Sequence, residues 1–80
     1  TYIQIGSYPN DRLAVEEWHK VVATLDGVIV NPGRSVFIQE LDQNRRVLIG
    51  PFGSASQART LLGLMQADYG DAFLIRFPRY

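Results

Sequence analysis

The chain says nearly the same thing twice. Ile5-Gly6-Ser7-Tyr8 and Ile49-Gly50-Pro51-Phe52 stand 44 residues apart, each an apolar alternating run broken by glycine and closed by an aromatic. Each is followed by an amphipathic helical pattern and then by a further apolar run, residues 28–30 in the first half and 73–75 in the second. Two copies of strand–turn–helix–strand within 80 residues define a doubled βαβ domain with room for little else. Architecture alone does not assign an activity, so function has to come from particular side chains.

Composition narrows the classes. With 46% apolar residues the chain can fill one core, and a charged fraction of 20% does not suggest disorder. No cysteine is present, which excludes a disulfide framework and thiolate metal sites but leaves the compartment open. No apolar run approaches the roughly 18 residues of a membrane span, and no basic-then-apolar leader opens the chain. The start at Thr1 suggests that residues 1–80 are a single domain cut from a longer protein, with any targeting segment outside it. Net charge is zero but unevenly spread. Residues 1–44 hold three Lys/Arg against six Asp/Glu, and residues 45–80 five Arg against two Asp. A nucleic-acid binder works by displacing counterions from phosphates and usually shows a basic excess, which is missing here.

Periodicity supplies the elements. Ile3 and Ile5 alternate with Tyr2 and Gln4 in a first strand over 2–6. Residues 8–11 read as a turn, with Asn10 or Asp11 the N-cap of a helix over 12–25. On that helix Ala14, Trp18, Val21, Val22 and Leu25 share one face. Residues 28–30 read as a short strand and 31–35 as a turn. Val36–Leu41 and 46–49 form two arms of a hairpin around Asp42-Gln43-Asn44. Whether 28–30 or Val36–Leu41 is the second strand stays open, and both can belong to one strand bent at Pro32-Gly33. Ser54 with Gln57 is a capping box opening a second helix. Ala58, Leu61, Leu62, Met65 and Tyr69 form its buried face, and Gly70 ends it. A last strand covers 73–77 and stops at Pro78. The order βαββαβ predicts an α+β fold of the ferredoxin-like or RNP-like kind: a four-stranded antiparallel sheet with both helices packed on one face. The other face is then free to work.

Enzyme chemistry finds no support in the residues. His19 is the only histidine and sits at the edge of the helix's apolar face, with no second His or Cys for a metal site or a nucleophile–base pair. Glu16 and Glu17 diverge on their helix, so they make no glycosidase dyad. Asp42-Gln43-Asn44 lacks the glycine and closing glutamate of a calcium loop. Gly50-Pro51-Phe52-Gly53-Ser54 lacks a P-loop lysine and is explained by turn-making. No cofactor is implied. The open sheet face is more informative. Parity assigns to it Tyr2, Gln4, Arg46, Leu48, Leu74 and Arg76, with residues of Val36–Leu41 alongside. An amide, two guanidinium groups and an aromatic on one platform suit a polar, weakly acidic polymer, although the same residues also read as ordinary strand surface.

Tyr2-Ile3-Gln4-Ile5-Gly6-Ser7-Tyr8 and Arg46-Val47-Leu48-Ile49-Gly50-Pro51-Phe52 resemble, in order and spacing, the two signatures of the bacterial sporulation-related repeat, the SPOR domain. Ser54-Ala55-Ser56-Gln57-Ala58 resembles the helix start that comes after the family's second signature, and the likeness covers essentially the whole chain. The resemblance implies a noncatalytic module, extracytoplasmic in the periplasm or cell envelope. Such a module binds peptidoglycan glycan strands stripped of stem peptides at the division septum, through the sheet face. Carried over by position, Gln4 would bond sugar hydroxyl or acetamide groups, Ser7 would assist from the turn, and Arg46 would sit on the sheet face with Leu48, Arg76 and Tyr2. An arginine there can also pair with the lactyl carboxylate of muramic acid, a contact of about 1.5–3 kcal/mol; that pairing is our inference, not a family rule. Two departures stand out. Arg45 occupies the position before the third-strand arginine that is often aromatic in the family, and the stretch 27–43 is longer than usual. Phe37, within that stretch, is either a substitute aromatic platform or a core residue. The expected partner is therefore the glycan strand, bound by a monomeric domain that enters no membrane and binds no nucleic acid. A protein-interaction module using the open face or an edge strand is the alternative. Single-stranded RNA binding fits the topology, but the neutral charge argues against it and the aromatic signature expected on the central strands is missing.

Overall fold

The structure is a computed structural model that describes residues 1–30 and 32–76. Its elements run β1 (Tyr2–Tyr8), α1 (Asp11–Leu25), α2 (Pro32–Ser35), β2 (Val36–Leu41), β3 (Asn44–Ile49), α3 (Ala55–Met65) and β4 (Phe73–Ile75). The four strands form one antiparallel sheet in the order β2-β3-β1-β4. The expected α+β architecture is thus present, with a one-turn third helix added.

Both long helices begin where side-chain oxygens meet the orphan N–H groups of a first turn. Asn10 Oδ1 accepts from the Leu13 N–H at 3.0 Å, and Ser54 Oγ from the Gln57 N–H at 3.2 Å. Their apolar faces close over one side of the sheet. Ala14, Val21 and Leu25 of α1 and Leu61 and Met65 of α3 are buried with Ile3, Ile5, Val36, Val47 and Ile49, and Trp18, Val22 and Tyr69 pack at the margin. The Trp18 indole N–H donates to the Val36 carbonyl at 2.7 Å, tying α1 to the start of β2.

The second strand is Val36–Leu41, paired along its whole length with β3. Residues 28–30 are not a strand: Ile29 makes a single bridge with Asp26, and Val28 and Val30 are exposed. The amide N–H groups of Val28 and Ile29 both donate to the Leu25 carbonyl, so the chain coils at the helix end instead of extending. Pro32–Ser35 is helical rather than the expected turn; Asn31, the first residue of that turn, lies outside the described residues. The hairpin is tighter than read from sequence. Asn44 already pairs with Leu41, so only Asp42 and Gln43 turn, with Asp42 at φ 56°, a left-handed conformation that short acidic side chains tolerate. α3 ends at Met65, before the expected stop at Gly70, and β4 reaches Ile75; Phe77 and Pro78 lie outside the described residues.

One irregularity decides what the sheet displays. β1 extends to Tyr8, two residues past the expected end, because it carries a bulge. Gln4 pairs with Leu48, but the next pairing is Gly6 with Val47, leaving Ile5 as a surplus residue. Ile5 is buried in the core. Beyond it the alternation inverts: Gly6 and Tyr8 fall on the helix side, and Ser7, opposite Arg46, falls on the other. Tyr8 accordingly packs against the core. The two glycines of the repeat serve a common purpose. A Cβ on Gly6 would stand 2.6 Å from the Tyr8 hydroxyl, and one on Gly50 2.6 Å from Cδ2 of Tyr2, so each leaves space for a tyrosine ring. Gly50 also takes φ +149°, ahead of a cis bond to Pro51.

Candidate carbohydrate-binding face

The register places eleven strand residues on the face away from α1 and α3. They are Phe37, Gln39 and Leu41 from β2; Asn44, Arg46 and Leu48 from β3; Tyr2, Gln4 and Ser7 from β1; and Phe73 and Ile75 from β4. At its centre is an amide–guanidinium cluster. The Arg46 Nε–H donates to Gln39 Oε1 at 2.7 Å, and its Nη1–H donates to Gln4 Oε1 at 3.4 Å, bridging three strands. All three side chains are half-buried, so the arginine is held in one orientation while still facing solvent. Ser7 lies directly opposite Arg46 across the β1–β3 pair.

Beside this cluster the face is apolar. The rings of Tyr2 and Phe37 meet edge to face, with centroids 5.6 Å apart. Leu48, between Phe37 and Gln4 in the register, has no accessible surface. It is floor, and the surface of the face is made by its neighbours. Phe73 stands opposite Gln4 on β4 and is 48% exposed, which leaves a ring surface open to a ligand.

Tyr2, Gln4, Ser7, Arg46 and Phe37 are therefore brought together, and Phe37 is on the open face rather than in the core between sheet and helices. Two assignments from parity change. Leu74 faces the core, opposite Ile3, and the open positions of β4 are Phe73 and Ile75. Arg76 follows the end of β4, exposed, and holds no strand position on the open face. Ser7 lies within β1 rather than in a turn. Sequence reasoning does not single out Gln39. Its signal is the alternation Val36-in, Phe37-out, Ile38-in, Gln39-out, which becomes usable once Val36–Leu41 is known to be the second strand.

The helix side carries different electrostatics. Arg45, next to Arg46 but of opposite parity, donates from Nε to Asp11 at 2.7 Å and lies 3.6 Å from Glu40. Burial, with Glu17 and Tyr69 nearby, pushes the Tyr8 phenol up to about 12, and burial likewise raises that of Tyr69. A groove of about 490 Å³ lies on this side between residues 28–29 and α3. It is lined by Val28, Ile29, Phe52, Leu61 and Leu64 with Ser56, Gln57 and Thr60, and offers no charged group. Among the described residues no group of three His, Cys, Asp or Glu is placed to hold a metal, and no helix is long and apolar enough to cross a membrane.

The SPOR domain family model matches residues 1–76. The chain belongs to the SPOR domain family. SPOR domains are peptidoglycan-binding modules, a family of binders rather than catalysts. No curated protein and no solved structure matches the chain significantly. The first signature lies on β1, and the second begins on β3 and continues into the segment after it; these two central strands supply the centre of the open face.

Proposed function

We propose that this SPOR domain is a noncatalytic module that binds peptidoglycan glycan strands lacking stem peptides, as they occur at the division septum, and that it does so on the open sheet face. The observation that carries the reading is the Gln4–Arg46–Gln39 cluster set beside the exposed ring of Phe73. A sugar chain presents apolar C–H faces and polar edges. Aromatic surface takes the first and fixed hydrogen-bond donors take the second. Gln4, Ser7, Arg46 and Gln39 address hydroxyl and acetamide groups, and Tyr2, Phe37 and Phe73 supply the apolar support. A strand free of peptides can lie flat across the sheet, whereas bulky branches would lift it away. This reading implies a domain that works outside the cytoplasm, as part of a larger envelope protein.

The test is co-sedimentation with isolated sacculi. The domain should pellet with amidase-treated sacculi and markedly less with untreated ones; equal pelleting, or none, removes the proposal. Gln4→Ala should weaken pelleting while leaving the melting temperature within a few degrees, which separates lost contact from lost fold.

A further inference from the structure

The glutamines on the open face have a fixed polarity. A free glutamine side chain offers both an acceptor and donors, but a guanidinium is donor-only. Because Arg46 donates to both amide oxygens, Gln4 and Gln39 must turn their oxygens toward it and their NH2 groups away. Neither NH2 group has a hydrogen-bond partner among the described residues. Three side chains that would suit almost any polar ligand are thereby converted into an array of donors with a positive charge at its middle. None of the eleven open-face strand positions is Asp or Glu. The carboxylates of Asp11 and Glu40 attend Arg45 on the opposite side.

We propose that this array, with Gln39 as its third member, is an anion detector, and that what it reads on a peptide-free strand is charge rather than merely the absence of bulk. The inference rests on the glycan reading above. In an intact strand the lactyl group of muramic acid is joined to the stem peptide through a neutral amide. Amidase hydrolysis adds water across that bond, leaving an amine on the departing peptide and a carboxylic acid on the sugar, ionised at neutral pH. Each stripped muramic acid thus gains an acceptor-only group with a full negative charge, the complement of a donor-only cationic site. The acetamide carbonyl, present on stripped and intact strands alike, is an acceptor without charge and does not distinguish them.

The two sources of selectivity are separable chemically. Peptide-free glycan strands, purified after amidase digestion, are coupled at their lactyl carboxyls to methylamine with a carbodiimide. This restores a neutral amide while adding almost no bulk. Titration of the whole domain should show these strands binding about tenfold or more weakly than the untreated ones, as for loss of one charge-assisted hydrogen bond. Oligomers of N-acetylglucosamine, which have acetamides but no lactyl group, should bind as weakly as the amidated strands. Gln39→Glu, which places a carboxylate against Arg46, should lower binding to untreated strands more than Gln39→Leu does, with both variants melting as folded proteins. Amidated strands that bind within twofold of untreated ones would overturn charge detection and leave peptide-free glycan binding intact. If neither strand binds, the glycan reading falls, and this inference with it.

Discussion

Arg45 and Arg46 are neighbours on one strand and have opposite surroundings. Arg45 faces the helices, where Asp11 and Glu40 answer its charge with carboxylates. Arg46 faces the other way, cradled by two amide oxygens that orient it and carry no charge of their own. A carboxylate partner cancels the charge of the arginine it holds, whereas an amide partner fixes the geometry and does not. The difference between the faces of this sheet is the same difference on a larger scale. One is closed by apolar packing and ion pairs, the other is ordered by neutral amides and rich in donors.

The contrast can be broken in several places. The largest effect belongs to the helix side: Trp18→Ala removes a large packed ring and the donor to Val36, and should cost about 3–5 kcal/mol in urea unfolding. A loss below about 1 kcal/mol would show that α1 is not what closes that face. Arg46→Ala should come next, weakening glycan binding by about 1.5–3 kcal/mol in a titration, with little change in the unfolding midpoint. Arg45→Ala should do the reverse, leaving binding unchanged and costing about 0.2–1 kcal/mol of stability, the range for an exposed ion pair. If the two arginine variants exchanged phenotypes, the functional assignment of the faces would be inverted. The smallest effect concerns alkali. A phenol whose pKa is raised on folding favours the neutral form in the native state. The contribution of Tyr8 is therefore complete below pH 10 and is lost as pH rises toward 12. Melting temperatures should fall across that window in the parent domain and fall less steeply in Tyr8→Phe.

Much of this arrangement is legible in the residues, and the failures have physical causes. The faces of α1 and α3 follow from spacing, and the Ser54 cap from its capping box, while the cap of α1 is narrowed only to Asn10 or Asp11 because both carry a side-chain oxygen at the helix start. Gln4 is assigned to the open face because it alternates with Ile3 and Ile5, and Arg46 because it is out of phase with Val47 and Ile49. Alternation gives no help in Phe73-Leu74-Ile75, where every residue is apolar, so parity alone puts Leu74 on the open face and misses Phe73. Residues 28–30 carry the β-branched composition of a strand, but local hydrogen bonds to Leu25 hold them coiled. No propensity announces the surplus residue at Ile5, because a bulge is a relation between two strands and not a property of one. Gln39 stays hidden for a similar reason, since its face depends on which segment pairs with β3.

That surplus residue reaches further than its size suggests. β1 is written in two reading frames, one up to Gln4 and another from Gly6 onward, and the splice between them is a single backbone unit. Excising Ile5 would erase the bulge and leave the tail in phase, whereas keeping Ile5 and pairing β1 in a single frame would turn the Ser7 hydroxyl into the apolar interior and the Tyr8 phenol out onto the open face. A homologue that aligns without a gap but lacks this hiccup would carry the same letters and present a different surface.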